Sequence, residues 1–206
     1  MSKGNPAVQD YYPEDVAHCF GCGRLNGDGH QLKTVWEGDE TVSRFVPKPQ
    51  HTAIPGYVYG GLIASLLDCH GTGGAAAAAL RREGRGIGEG EAPRFVTASL
   101  QVDFLKPTPL GPVLEVRGRV VEITDRKVVL EEALSAEGVI TARGRQVRAQ
   151  RVASERVRFW PKARTAGPAA AASTIRCRRS PGSPACTARS PGRRPTEGRR
   201  RGALVR

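Results

Sequence analysis

Apolar positions follow a helical rhythm in one long stretch of this chain and a strand rhythm in several others. Gly60-Gly61 opens a run at helical spacing that ends at Leu80-Arg81-Arg82. At about 100° per residue, Leu62, Ile63, Leu66 and Leu67 form one broad apolar face, and Pro55-Gly56 breaks the chain ahead of it. Gly61, Ala64, Ser65, Asp68 and Thr72 make a second stripe of small and polar residues. Gly71, Gly73 and Gly74 interrupt the helix where alanine would cost less, which predicts close packing against a sheet or a partner. Two segments, Gln31–Trp36 and Thr41–Val46, read as a hairpin turning at Glu37–Glu40. Arg94–Leu105 alternates, with Leu100, Val102 and Phe104 on one side and Ser99, Gln101 and Asp103 on the other. Strict alternation puts Thr97 with the polar set. Three further strands are predicted at Leu114–Ile123, Val128–Ala136 and Val139–Val152, joined by Thr124–Lys127 and Glu137-Gly138. One helix followed by an antiparallel meander is an α+β pattern.

Asp68 changes the picture of that helix. It is the only carboxylate between Glu40 and Glu83, and an acid inside an apolar helix needs a partner or a function. A hydrogen-bonded structural aspartate is the plainer reading. The functional one comes from the glycine pair, because a glycine-led helix start leaves backbone N–H groups open to a polarised carbonyl. Seven residues separate Gly61 from Asp68, roughly 10 Å of helix at about 1.5 Å per residue. One helix therefore cannot bring both groups to one carbonyl. Two antiparallel copies across a two-fold axis can, and the small-residue stripe suits such a pairing.

With these residues in view, Tyr59-Gly60-Gly61 followed by Leu66-Leu67-Asp68 resembles the glycine-led helix of PaaI-like hotdog-fold acyl-CoA thioesterases. The opening Cys19-Phe20-Gly21-Cys22-Gly23 is similar to that of many such proteins, and the resemblance covers about residues 18–153. It implies a hotdog fold, an antiparallel sheet wrapped around one long central helix. It also implies a thioester hydrolase acting on an acyl- or aryl-CoA, as a dimer or a dimer of dimers. The Gly61 N–H would polarise the thioester carbonyl, and Asp68 of the other subunit would serve as base or nucleophile. Thr97, ten residues before Pro107, would position the water. Tyr59, Gly60 and His51 are the candidates for substrate binding. The family's usual histidine before the glycines is Tyr59 here, and Ala53 stands where some members have asparagine. No cofactor or metal is implied. Two other readings are a hotdog enoyl-CoA hydratase or dehydratase and a non-catalytic acyl-CoA binder. His51 precedes Pro55 by four residues, which does not match the histidine loop of the dehydratases.

Charge and cysteines add limits. The chain carries 32 basic and 20 acidic side chains, a formal net charge of +12. From Pro161 onward twelve Lys and Arg face Glu197 alone, so the remainder, with 20 basic and 19 acidic residues, is nearly neutral. The surplus belongs to an Arg/Pro/Ala-rich stretch that is expected to be a disordered tail over 159–206, binding no specific nucleic acid. Residues 1–17 are polar and read as a flexible leader, leaving 18–158 as the folded domain. Without an apolar leader segment or an 18-residue apolar run, a cytoplasmic protein that does not enter membranes is expected. The Cys19/Cys22 pair with His18 and His30 raises a zinc site, but no second CxxC follows to complete four ligands. A reduced pair packed beside the site is the expectation. Cys69 has only His70 as a neighbouring base, one residue on and facing elsewhere, so it is not a nucleophile candidate.

Overall fold

The computed structural model describes residues 5–150. The expected basic tail at 159–206 and the last residues of the final predicted strand lie outside them. A helix, α1 (Gly60–Arg82), lies against a six-stranded sheet. The strands are β1 (Val35–Glu37), β2 (Glu40–Phe45), β3 (Phe95–Phe104), β4 (Leu114–Ile123), β5 (Lys127–Ala136) and β6 (Val139–Gln150). All pairings are antiparallel and the order is β1-β2-β4-β5-β6-β3, which leaves β3 at an edge beside β6 alone. This is the hotdog architecture.

The helix ends where its chemistry says it should. Tyr59 enters in an extended conformation and no side chain caps the first turn. At the other end Gly84 takes φ +71° and donates to Arg81 O, while Arg85 donates to Leu80 O. That reciprocal pair satisfies the last carbonyls and needs a residue without a Cβ at position 84. Leu62, Leu66, Leu67 and Leu80 are fully buried, each contributing about 2 kcal/mol by transfer from water. The interior glycines meet the sheet. A Cβ on Gly71 would lie 2.5 Å from Gln146 Oε1, and one on Gly73 the same distance from Thr34 Oγ1.

Two expectations need correction. The first strand of the hairpin is shorter than Gln31–Trp36, because residues before Val35 bond elsewhere. Leu32 N–H donates to Gly21 O, Thr34 O accepts from Val8 N–H, and Gln31 sits at φ +50°. Nor are residues 5–17 a loose leader. Val8 and Gln9 lie in a short 3-10 turn and are wholly buried, and Tyr12 is 2 % exposed. Gln9 is drawn in by bonds to the Thr34 hydroxyl and backbone.

The bulge in β3 was hidden from the sequence and bears on the site. Thr97 pairs with Arg148 and Ser99 with Val147, so one extra residue is inserted at Ala98. Beyond it Leu100, Val102 and Phe104 pair with Gln146, Gly144 and Ala142. Thr97 therefore shares the helix-facing side with Leu100 and Val102, not the outer side with Ser99 and Gln101 as alternation predicts.

Candidate active site

Asp68 lies mid-way along α1 on the stripe that the sheet leaves open. Gly61 is exposed and Ala64, Ser65, Asp68 and Thr72 are half-buried, while the helix positions between them are buried. The carboxylate is held from the sheet. Thr97 Oγ1 donates to Asp68 Oδ1 at 2.6 Å, and an Arg148 Nη2 lies 3.1 Å from the same oxygen. Arg148 also donates to Thr97 Oγ1, to the Asp68 carbonyl and to Gln146 Oε1. No protein donor among the described residues reaches Asp68 Oδ2. One oxygen is thus fixed by the sheet and the other is not.

Behind Arg148 the polar groups continue into the sheet. Gln146 Nε2 donates to Leu67 O at 2.6 Å and to Glu132 Oε2. Glu132 is buried, and desolvation raises its pKa to about 8 despite the nearby Arg148 guanidinium. Arg148, Gln146 and Glu132 were not candidates from sequence. Glu132 falls in phase with the buried Leu130 and Leu134 on β5, and Gln146 and Arg148 with Ala142 on β6, so strand alternation was the signal that could have placed them under the helix.

His70 is a packed core residue. It is fully buried between Ser43 Oγ at 2.8 Å and Thr41 Oγ1 at 3.0 Å, and burial pushes its pKa down to about 3. It stays neutral. Cys69 is buried, and its thiol is pushed up by the neighbouring Cys19 and Cys22 and by desolvation.

Gly61 sits in the first turn of α1, where N–H groups have no intrahelical acceptor. The Tyr59 ring lies over it, so that a Cβ at 61 would be 2.4 Å from Tyr59 Cε2. Tyr59 also lines a cavity of about 530 Å³ with Phe20, His30, Phe45 and His51. His51 Nδ1 accepts from Lys48 N–H at 3.0 Å, and burial beside Lys48 lowers its pKa. The His30 and His51 rings are 5.3 Å apart. Tyr59 and His51 thus meet at one cavity, whereas Gly60 lines a separate groove with Phe104 and Lys106. Asp68 and Thr97 are brought together, and Gly61 stays two helical turns from them on the same helix.

Comparison with known proteins fixes the family. The chain is 48 % identical to a thioesterase superfamily protein from Shewanella loihica PV-4, over 67 % of this chain and 97 % of that one, with a TM-score of 0.52. This chain belongs to the thioesterase superfamily. The family model of that name matches residues 55–146, which contain α1 and all of β3, β4 and β5. A second thioesterase superfamily protein shares the fold at 21 % identity, covering 71 % of this chain and 70 % of its own, with a TM-score of 0.51. The E. coli PaaI protein is also among the similar structures, at 14 % identity, 60 % and 81 % coverage and a TM-score of 0.49. No curated protein sequence matches the chain. Among the described residues no helix is long and apolar enough to cross a membrane.

Proposed function

We propose that this member of the thioesterase superfamily hydrolyses an acyl- or aryl-CoA thioester, using sites shared between two subunits of a homodimer. The observation that carries the reading is Asp68. It is a carboxylate on an open stripe of small residues, with one oxygen clamped by Thr97 and Arg148 and the other without a protein donor among the described residues. The partner's glycine-led helix start would hold the thioester carbonyl. Asp68 takes a proton from a water whose oxygen attacks the carbonyl carbon. The C–S bond then breaks, and the leaving thiolate recovers a proton. The hydroxyl proton of Thr97 is committed to Asp68, so Thr97 acts here by aiming the carboxylate. The cavity under Tyr59, walled by Phe20, Phe45 and two histidines, takes the acyl or aryl group.

The open face of α1 and the single-neighbour edge of β3 support the dimer. Val96 and Phe104 on β3 are 51 % and 57 % exposed, more apolar surface than an unpartnered edge usually shows. A panel of acyl- and aryl-CoA thioesters tests the function by CoA release, with enoyl-CoA hydration as a control. Asp68→Ala should leave folded protein and lower hydrolysis at least about a hundredfold. Activity within a few-fold of wild type would remove Asp68 from the mechanism.

A further inference from the structure

Away from Asp68 the structure gathers three thiols that hydrolysis does not use. Cys19 and Cys22 come from the loop before β1, and Cys69 from α1. Their sulphur atoms all lie within 4.8 Å of one another, with Cys19 and Cys69 at 3.8 Å, and none is in a disulfide. We propose that Cys19, Cys22 and Cys69 bind one thiophilic d10 cation, Zn²⁺ or Cu⁺, through three thiolates.

Four features besides the sulphur positions support this. The loop is shaped around Cys19: Gly23 N–H donates to Cys19 O and His30 N–H to Phe20 O, both at 2.8 Å. Gly21 is pressed onto the cluster, since a Cβ there would lie 2.1 Å from Cys69 Sγ. Only glycine lets the loop bring Cys19 and Cys22 down on the helix. The Tyr12 hydroxyl, whose field the three thiols share, is buried and has no hydrogen-bond partner among the described residues. Arg94 stacks on the Tyr12 ring at 4.0 Å, and its buried Nη1 is also unpartnered.

The charges close around an ion. Three thiols lose their protons to solvent on binding, and three thiolates with Zn²⁺ leave a net charge of −1. The Arg94 guanidinium beside them offsets it. Zn²⁺ prefers a fourth donor, which a water entering beside the exposed Cys19 would supply, whereas Cu⁺ is satisfied by three sulphurs. Cys19 is exposed and gives the ion a way in. His18 and His30, the histidines nearest in sequence, do not join this group.

The test uses the full chain with Cys177→Ser and Cys186→Ser, so that no thiol of the C-terminal stretch competes. Protein stripped by chelator under reductant is titrated with Co²⁺, read by thiolate charge-transfer absorption, and back-titrated with Zn²⁺. A parallel arm titrates Cu⁺ against a chromophoric Cu⁺ chelator. The expected result is saturation at one ion per chain in at least one arm, and the arm that saturates identifies the ion. Cys69→Ser and Cys19→Ser should each weaken binding roughly a hundredfold or more. Cys19→Ser lies at the surface and serves if Cys69→Ser fails to fold. No stoichiometric binding in either arm would overturn the proposal. So would full affinity in both variants, or isolation as a disulfide whose reduced form takes up no ion.

Discussion

Thr97 and Arg148 show how single side chains set the competence of Asp68. A hydrogen bond to a charged group is worth about 1.5–3 kcal/mol, or roughly a tenfold to hundredfold change in rate if it acts in the transition state. Thr97→Val should therefore lower kcat by about that factor with little change in KM, and Thr97→Ser should restore most of it. Steady-state kinetics on the three proteins check this, and equal kcat for Val and Thr would make the hydroxyl a structural bond only. Arg148 is fully buried and donates to four acceptors on three residues. Arg148→Met removes the donor to Gln146 Oε1 and the cation beside Asp68, and unfolding in urea should show a loss of about 1–3 kcal/mol. Glu132 supplies a pH signature. Its folded pKa of about 8 lies above the usual 4.5, so the folded state holds an extra proton between these values. Stability from this group is full below pH 4.5 and is lost as pH rises through about 8. The stability of Glu132→Gln relative to wild type should accordingly rise across that window, by up to about 1.4 kcal/mol per pH unit. Thermal melts of the two proteins at several pH values measure it, and a constant difference would contradict a neutral Glu132.

At the scale of elements, α1 shows which parts of the fold were legible. Its span, its apolar face and its open stripe all follow from helical periodicity. The meander β4-β5-β6 follows from alternation and from Glu137-Gly138, whose φ values of +50° and +77° make the tight turn. The bulge at Ala98 did not show, because nothing in Val96-Thr97-Ala98-Ser99 departs from an ordinary strand. That one inserted residue moved Thr97 to the helix side, and with it the partner of Asp68. The role of Arg148 and Gln146 was hidden for a related reason: it depends on the register between β3 and β6. The buried Val8, Gln9 and Tyr12 escaped notice because a short polar leader has no period to read. Close helix–sheet packing gives a test at this scale. Gly73→Ala should gain about 1 kcal/mol of helix propensity yet lower stability by about 1–3 kcal/mol net, since its Cβ would strike Thr34 and Gln9. Gly27→Ala, with nothing within 4 Å, should be near neutral by the same denaturation measurement.

For the whole molecule, the proposed shared site makes assembly a condition of activity, because Gly61 and Asp68 are two helical turns apart on α1. Mixing Asp68→Ala chains with Gly61→Pro chains should recover activity, because one site per heterodimer keeps both groups intact. Up to half the wild-type rate per heterodimer is expected. CoA release after subunit exchange, verified by mass, measures it, and no recovery would argue against two-chain sites.

The strand order also sets a timetable for a chain made from its N-terminus. β2 pairs with β1 at once but finds its second neighbour only in β4, after α1 and β3 have already emerged, and β3 finds its own only in β6, the last strand. Until then Leu62, Leu66 and Leu67 have no sheet to cover them, and the edge of β3 has no strand beside it. Apart from the β1-β2 hairpin, the β4-β5-β6 meander, closed by short turns, is the part with the most local pairings, and α1 and β3 dock on it. During synthesis the most apolar helix and the strand after it are thus committed late, waiting on strands still to come.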